Sequence, residues 1–226
     1  MRKKMKIWAC LIITLSGFNS SLFAADLPMK PSDALQRLID GNARFTQDKT
    51  TSPDRNEIRR QATVSSQKPF AIVLGCSDSR VSPEIAFDQG IGDIFVVRVA
   101  GNVVSPVVLD SVEYSAIYNN SSIIVVLGHE NCGAVDAVLK NNTKDVESIA
   151  DLIKQGLNKF SSNFQSIPLE KAVEYNIKTS IGKLMESTVL SNLVRSGKLI
   201  IAGAYYDLKS GSVRILDLDV VPEKQQ

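Results

Sequence analysis

The chain is expected to fold as one α/β domain: a central, mostly parallel sheet of about four parallel strands with a C-terminal antiparallel edge strand, flanked by helices. Three observations predict it. Short apolar runs at Phe70–Leu74, Ile94–Val99 and Ile123–Leu127 alternate with helix-like segments. Runs this short and this uniformly apolar read as strands buried on both faces, the habit of parallel sheets. The segments between them open on Ser82-Pro83 and Ser105-Pro106, a capping residue followed by a proline suited to a first helical turn.

In chain order, Arg2, Lys3, Lys4 and Lys6 precede a mostly apolar stretch, Ile7 to Leu15, and then the small residues around Ser21–Ala25. Residues 1–24 therefore read as a secretory signal peptide, cleaved after Ala24 or Ala25, with residues 25–226 a single domain exported to a periplasm. Gly17, Asn19 and Ser20 interrupt the apolar stretch too early for a membrane anchor, and Cys10 sits too near its start for lipidation. Apolar positions Leu35, Leu38, Ile39 and Phe45 have helical spacing over Pro31–Phe45, with Ser32 or Asp33 as its cap. A second, polar helix is expected near Arg55–Val64. After the strand at Phe70–Leu74 come a short helix near Pro83–Phe87, the second strand, a helix over Pro106–Tyr118, the third strand and a helix beginning near Gly133. Two or three amphipathic helices fill Val146–Val194. The chain closes on Lys198–Tyr206 and Ser212–Asp217, a hairpin turning at Lys209-Ser210-Gly211.

Charge narrows the partners. The whole chain has 26 basic and 24 acidic residues, but four of the basic ones lie in residues 1–24, which hold no acidic residue. The remainder is slightly acidic and carries no basic run, so nucleic acid is not an expected partner, nor is a membrane once the leader is removed. With Cys10 gone, Cys76 and Cys132 are the cysteines left, and His129 is the one histidine.

Those three residues share a pattern. Ile72-Val-Leu-Gly75 leads into Cys76-Ser-Asp-Ser-Arg80, and Ile123–Leu127 leads through Gly128 into His129-Glu-Asn-Cys132. Parallel strands present like ends at one sheet edge, where ligands of open α/β sheets bind. Two thiolates and an imidazole there suit Zn²⁺, with a fourth position for water or substrate. The competing reading, a disulfide between Cys76 and Cys132 in an exported binding domain without catalysis, leaves His129, Asp78 and Arg80 unexplained.

Cys76-Ser-Asp-Ser-Arg80 together with His129-Glu-Asn-Cys132-Gly133 resembles the signature of the β-class carbonic anhydrases. The similarity runs on through Glu84–Asp88, Asp93–Arg98, Ala100-Gly-Asn102, Val112-Glu-Tyr114 and Val125–His129. The resemblance implies a zinc lyase, one Zn²⁺ per chain on Cys76, His129 and Cys132, in which zinc-bound hydroxide converts CO₂ to bicarbonate. It implies Asp78 as the group orienting that hydroxide, held by Arg80, and as a fourth metal ligand only in a closed state. Gln67, Phe95 and Tyr114 match substrate-pocket residues. It further implies a homodimer or homotetramer, pockets at the subunit interface, and N-terminal helices clasping the partner. A related zinc hydrolase of CS₂ or carbonyl sulfide would use the same motif. Relatives with an inhibitory bicarbonate site carry Trp where this chain has Val73, so that inhibition is not expected despite the matching Arg98.

Overall fold

The computed structural model describes residues 28–216; the expected leader and the last residue of the expected final strand, Asp217, lie outside them. The elements are α1 (Pro31–Thr46), α2 (Glu57–Ala62), β1 (Ala71–Gly75), α3 (Pro83–Ala86), β2 (Ile94–Arg98), a 3-10 turn (Ala100–Asn102) and α4 (Pro106–Tyr118). They continue as β3 (Ile123–His129), α5 (Gly133–Leu139), α6 (Glu147–Asn158), a 3-10 turn (Phe164–Ser166), α7 (Leu169–Met185), α8 (Thr188–Arg195), β4 (Ile200–Tyr206) and β5 (Val213–Ile215). The five strands form one sheet in the order β2-β1-β3-β4-β5. The first four are parallel and β5 returns antiparallel to β4, as the alternation and the terminal hairpin predict. Among the described residues no helix is long and apolar enough to cross a membrane.

Successive strand residues face opposite sides, and both sides are covered. Ile72, Leu74, Ile124 and Val126 belong to the cluster beneath α4 to α8. Ala71, Val73, Ile123, Val125 and Leu127 belong to the one beneath α1 and α3. That double cover is why Ala71–Leu74 of β1 and Ile123–Leu127 of β3 are apolar without interruption. Burying each such aliphatic side chain contributes roughly 1.5–3 kcal/mol. By contrast, β2 is an edge strand: its first four residues are half-buried and Arg98 is exposed.

Two local expectations need correction. Helix α1 starts at Pro31, with Lys30 as an N-cap that offers no side-chain bond, so Ser32 and Asp33 lie inside the first turn. Proline at the first helical position needs no N–H and has the right φ already. Strand β3 also runs past Leu127 to His129, because Gly128 and His129 pair with Tyr205 and Tyr206 of β4. Gly128 is required there: a Cβ would lie 2.6 Å from Ile177 Cδ1 of α7. Elsewhere the caps are as read, Ser105 accepting from the Val108 amide and Ser82 occupying the cap position of α3 without a capping bond.

α1 is tied to its own chain. Asn42 is buried, donates to the carbonyls of Ala86 and Gly211 at 2.9 Å each, and accepts from the Val213 amide at 2.8 Å. Asp88, fully buried, accepts from Arg44 of α1 at 2.7 Å and from the amides of Thr51 and Ser52 in the loop that follows. α2 buries none of its residues.

Candidate metal centre

The register of β1 and β3 sets the site. Gly75, the last residue of β1, pairs with Leu127, so Cys76 leaves its strand close to where β3 carries His129. Cys132 follows after a tight turn in which Asn131 takes φ 51°, and it caps α5. The ligand atoms of Cys76, His129 and Cys132 all lie within 4.8 Å of one another, and the three residues are 4%, 0% and 1% exposed. Both thiols are free, so the disulfide alternative falls.

The donor set fits a metal cation on a specific observation. His129 Nδ1 lies 2.8 Å from the Glu130 carbonyl and donates to it, which leaves Nε2 with its lone pair. That Nε2 is buried and has no hydrogen-bond partner. An unpaired acceptor among two sulfurs, kept apart from water, is costly unless a cation completes it. Two thiolates and one imidazole are zinc's preferred kind of donor.

The electrostatics agree. Hydrogen bonding with Cys132 brings the Cys76 thiol down to about 4 against the opposing effect of burial, helped by His129 and by the amides of Gly101 and Asp78. Cys132 moves up, since it shares that proton and is buried. Burial pulls His129 down, but the Cys76 sulfur, the Glu130 carbonyl and Asp78 outweigh it and raise the imidazole. A cluster that favours one proton shared between two sulfurs, and positive charge on its imidazole, is a cluster built around missing positive charge.

Asp78 and Arg80 meet as the motif predicts. Arg80 Nε donates to Asp78 Oδ1 at 2.9 Å, Arg80 Nη2 to Oδ2 at 2.7 Å, and the Arg80 amide to Oδ1 at 3.0 Å. Those bonds hold the carboxyl well below the usual carboxylate range. Asp78 Oδ2 stands 3.9 Å from His129 Nε2, beside the metal position while its oxygens are engaged by Arg80.

Gln67, Phe95 and Tyr114 are placed elsewhere. Gln67 precedes β1 and lines an open cleft of about 670 Å³ with Arg37, Phe70 and Tyr118, at the opposite end of that strand from Cys76. Phe95 lies on β2, its ring 6.2 Å from that of Tyr114 on α4, and Tyr114 lies 5.2 Å from Tyr118. Tyr114 and Tyr118 are exposed. The fold thus brings five of the expected residues together and leaves these three apart from them.

Two further residues serve the site and were not read as doing so. Arg98, at the end of β2, donates Nε to the Cys76 carbonyl at 2.8 Å and Nη2 to the Asp78 carbonyl at 2.6 Å. Gly101 donates its amide to Cys76 Sγ at 3.3 Å. The sequence signal for both was the polar and glycine content of Arg98–Asn102 directly after an apolar strand. Val73, at the position where relatives with a bicarbonate site have Trp, is fully buried.

Comparison with known proteins places this geometry. The family model described as carbonic anhydrase matches residues 71–213. Carbonic anhydrase 2 of Mycobacterium tuberculosis is 35% identical over 198 residues, covering 83% of this chain and 93% of that protein. Among solved structures, the beta-carbonic anhydrase CcaA is 26% identical with a TM-score of 0.66, covering 82% of this chain and 88% of that one. A Coccomyxa beta-carbonic anhydrase solved with acetazolamide is 27% identical with a TM-score of 0.63, covering 80% and 86%.

Proposed function

This chain belongs to the β-class carbonic anhydrases, zinc enzymes that interconvert CO₂ and bicarbonate, and we propose how its own residues carry that reaction. The observation that carries the proposal is the buried His129 Nε2, without a partner and facing two free thiols. Zn²⁺ held by Cys76, His129 and Cys132 supplies the Lewis acidity that makes water nucleophilic near neutral pH. Asp78 accepts the hydrogen bond of the attacking water and turns a lone pair of that water towards CO₂. Arg80 keeps Asp78 in this role: its two-point fork pins both carboxylate oxygens in place, which holds the carboxylate off the metal position while Oδ2 keeps a lone pair for the water. The proton leaves to buffer or a carboxylate, because the single histidine is a ligand.

The working unit in this proposal is a dimer or a pair of dimers. Gln67, Phe95 and Tyr114 serve the substrate pocket of a neighbouring subunit, with α1 and α2 lying along that neighbour. Support comes from their position away from their own metal end and from the exposed aromatic side chains of α4. Residues 1–24 direct export to the periplasm. The support is the basic start, the apolar run and the small residues at its end.

Stopped-flow CO₂ hydration with zinc determination on the same sample tests the central proposal. Near one zinc per chain, turnover at neutral pH, and loss of both in Cys76→Ser are expected. Stoichiometric zinc with turnover of CS₂ or carbonyl sulfide but not of CO₂ would overturn it. The amino-terminal residue of protein recovered from the periplasm tests the leader: Ala25 or Asp26 is expected.

A further inference from the structure

The Gly101 amide is one of few donors that reach a ligand sulfur, and its backbone is held from a distance. Gly101 adopts φ 71° and ψ 14° inside the 3-10 turn that follows β2. A Cβ there would lie 2.9 Å from Ile153 Cδ1 and 3.3 Å from Ala134 Cβ, so both the conformation and the space call for glycine. The turn is roped to the sheet by the Val99 amide on the Gly75 carbonyl at 3.1 Å. From the other side, α7 holds it with two buried side chains one helical turn apart. Asn176 Nδ2 donates to the Gly101 carbonyl at 2.7 Å, and Ser180 Oγ donates to the Asn102 carbonyl at 2.8 Å. Asn176 is 1% exposed, and a buried amide is seldom retained without a partner to satisfy it.

From this chain of contacts we infer that Asn176 is a positioning residue for the metal centre: it fixes Gly101 so that the Gly101 N–H donates to Cys76 Sγ and draws electron density from that sulfur. This rests on the reading of Cys76, His129 and Cys132 as the metal ligands. Two thiolates push charge onto a metal and weaken its Lewis acidity. A hydrogen bond to one sulfur lowers the energy of its lone pairs, so less of that charge reaches the metal, and the bound water becomes easier to activate. Ser180 supports the same turn but at Asn102, away from the sulfur, so the two α7 side chains have separable roles.

Cobalt(II)-loaded protein provides the test, because the sulfur-to-cobalt charge-transfer band reports the energy of the sulfur lone pairs. In Asn176→Leu the band moves to longer wavelength, and kcat for CO₂ hydration by the zinc form falls about 10-fold with KM little changed. In Ser180→Ala the band stays at the wild-type wavelength. A band unmoved in Asn176→Leu, or moved equally in both variants, overturns the inference. The wild-type protein gives a second measurement that does not depend on a variant folding. Loaded with a spin-active cadmium isotope, it is expected to show scalar coupling between the metal and the Gly101 amide proton through Cys76 Sγ, and no coupling would overturn the inference. Failure of wild-type protein to bind cobalt or cadmium at all would instead break the metal reading on which the inference stands.

Discussion

The two ends of β1 are built on opposite principles. At its carboxyl end, Cys76, His129 and Cys132 are buried and held by named bonds: the Arg98 side chain to the Cys76 and Asp78 carbonyls, the Gly101 amide to the Cys76 sulfur, and the His129 imidazole to the Glu130 carbonyl. At its amino end and along the β2 and α4 side lie Gln67, Tyr114 and Tyr118, all exposed around an open cleft or on a bare helix face. One end is complete within a single chain. The other presents large apolar side chains to solvent, a pattern that marks interaction surfaces. The contrast teaches that the metal ligands come together within one chain, while the residues matched to substrate handling stand apart from them, on the face that the proposed assembly would cover.

Breaking the complete end is expected to have the largest effect. Cys132→Ser should lose stoichiometric zinc and bring CO₂ hydration to the buffer background, read by metal analysis and stopped flow. Cys132→Ser with full zinc and turnover would show that the ligand set is wrong. Asp78→Asn should keep its zinc and lose about 100-fold in kcat, the usual scale for removing one oriented group at a developing charge. Arg80→Gln should also keep zinc, and should lose activity at neutral pH by freeing Asp78 to approach the metal.

The incomplete end is expected to respond differently. Tyr114→Arg should leave zinc content intact and weaken self-association, by about 2 kcal/mol if this ring sits near the centre of the contact. Sedimentation over a dilution series would show smaller species, and activity should fall with them. A Tyr114→Arg monomer with full turnover would remove the distinction between the two ends. Arg98→Gln, which loses the fork between Cys76 and Asp78, should cost about 10-fold in activity, a smaller change because Val99 and Gly101 still bind the loop.

The smallest effect concerns acid. Burial alone would push Asp88 up, but the Thr51 amide, Arg44, the Ser52 amide and the Thr51 hydroxyl bring it down to about 2. In the unfolded chain the same group takes up its proton near its ordinary value of 3.8, so between these values the unfolded state binds more protons. The stabilisation is therefore present above about pH 4 and lost as pH falls through about 2. Asp88→Asn should be less stable at neutral pH, with a shallower decline of melting temperature across that acid range. An unchanged acid limb would mean that Asp88 keeps its proton-linked contacts in the unfolded chain.

What was legible in the sequence was what local pattern encodes. The runs before Gly75 and Gly128 announced buried strands, and the side chains just after them announced a shared edge. Asp78 and Arg80 were legible because their partners are two residues apart. Asn176, 75 residues from the Gly101 carbonyl it binds, was not, since nothing near it in the chain distinguishes it from a solvated helix amide. The start of α1 was misplaced for a related reason: Ser32 and Asp33 are good caps, but Pro31 fixes the first turn one step earlier. Gln67 is expected in the substrate pocket, and the structure places it in a cleft at the other end of β1 from Cys76, a separation that no local pattern encodes.

Asn42 has a consequence in time. Its bonds to Gly211 and Val213 span 169 and 171 residues, so α1 cannot be locked until nearly the whole chain is available. Contacts of such separation close late, after the loop entropy has been overcome by nearer ones. A chain emerging amino end first would keep its earliest helix unfastened while the sheet assembles behind it. The last hairpin to be synthesised then acts as the latch for the first helix.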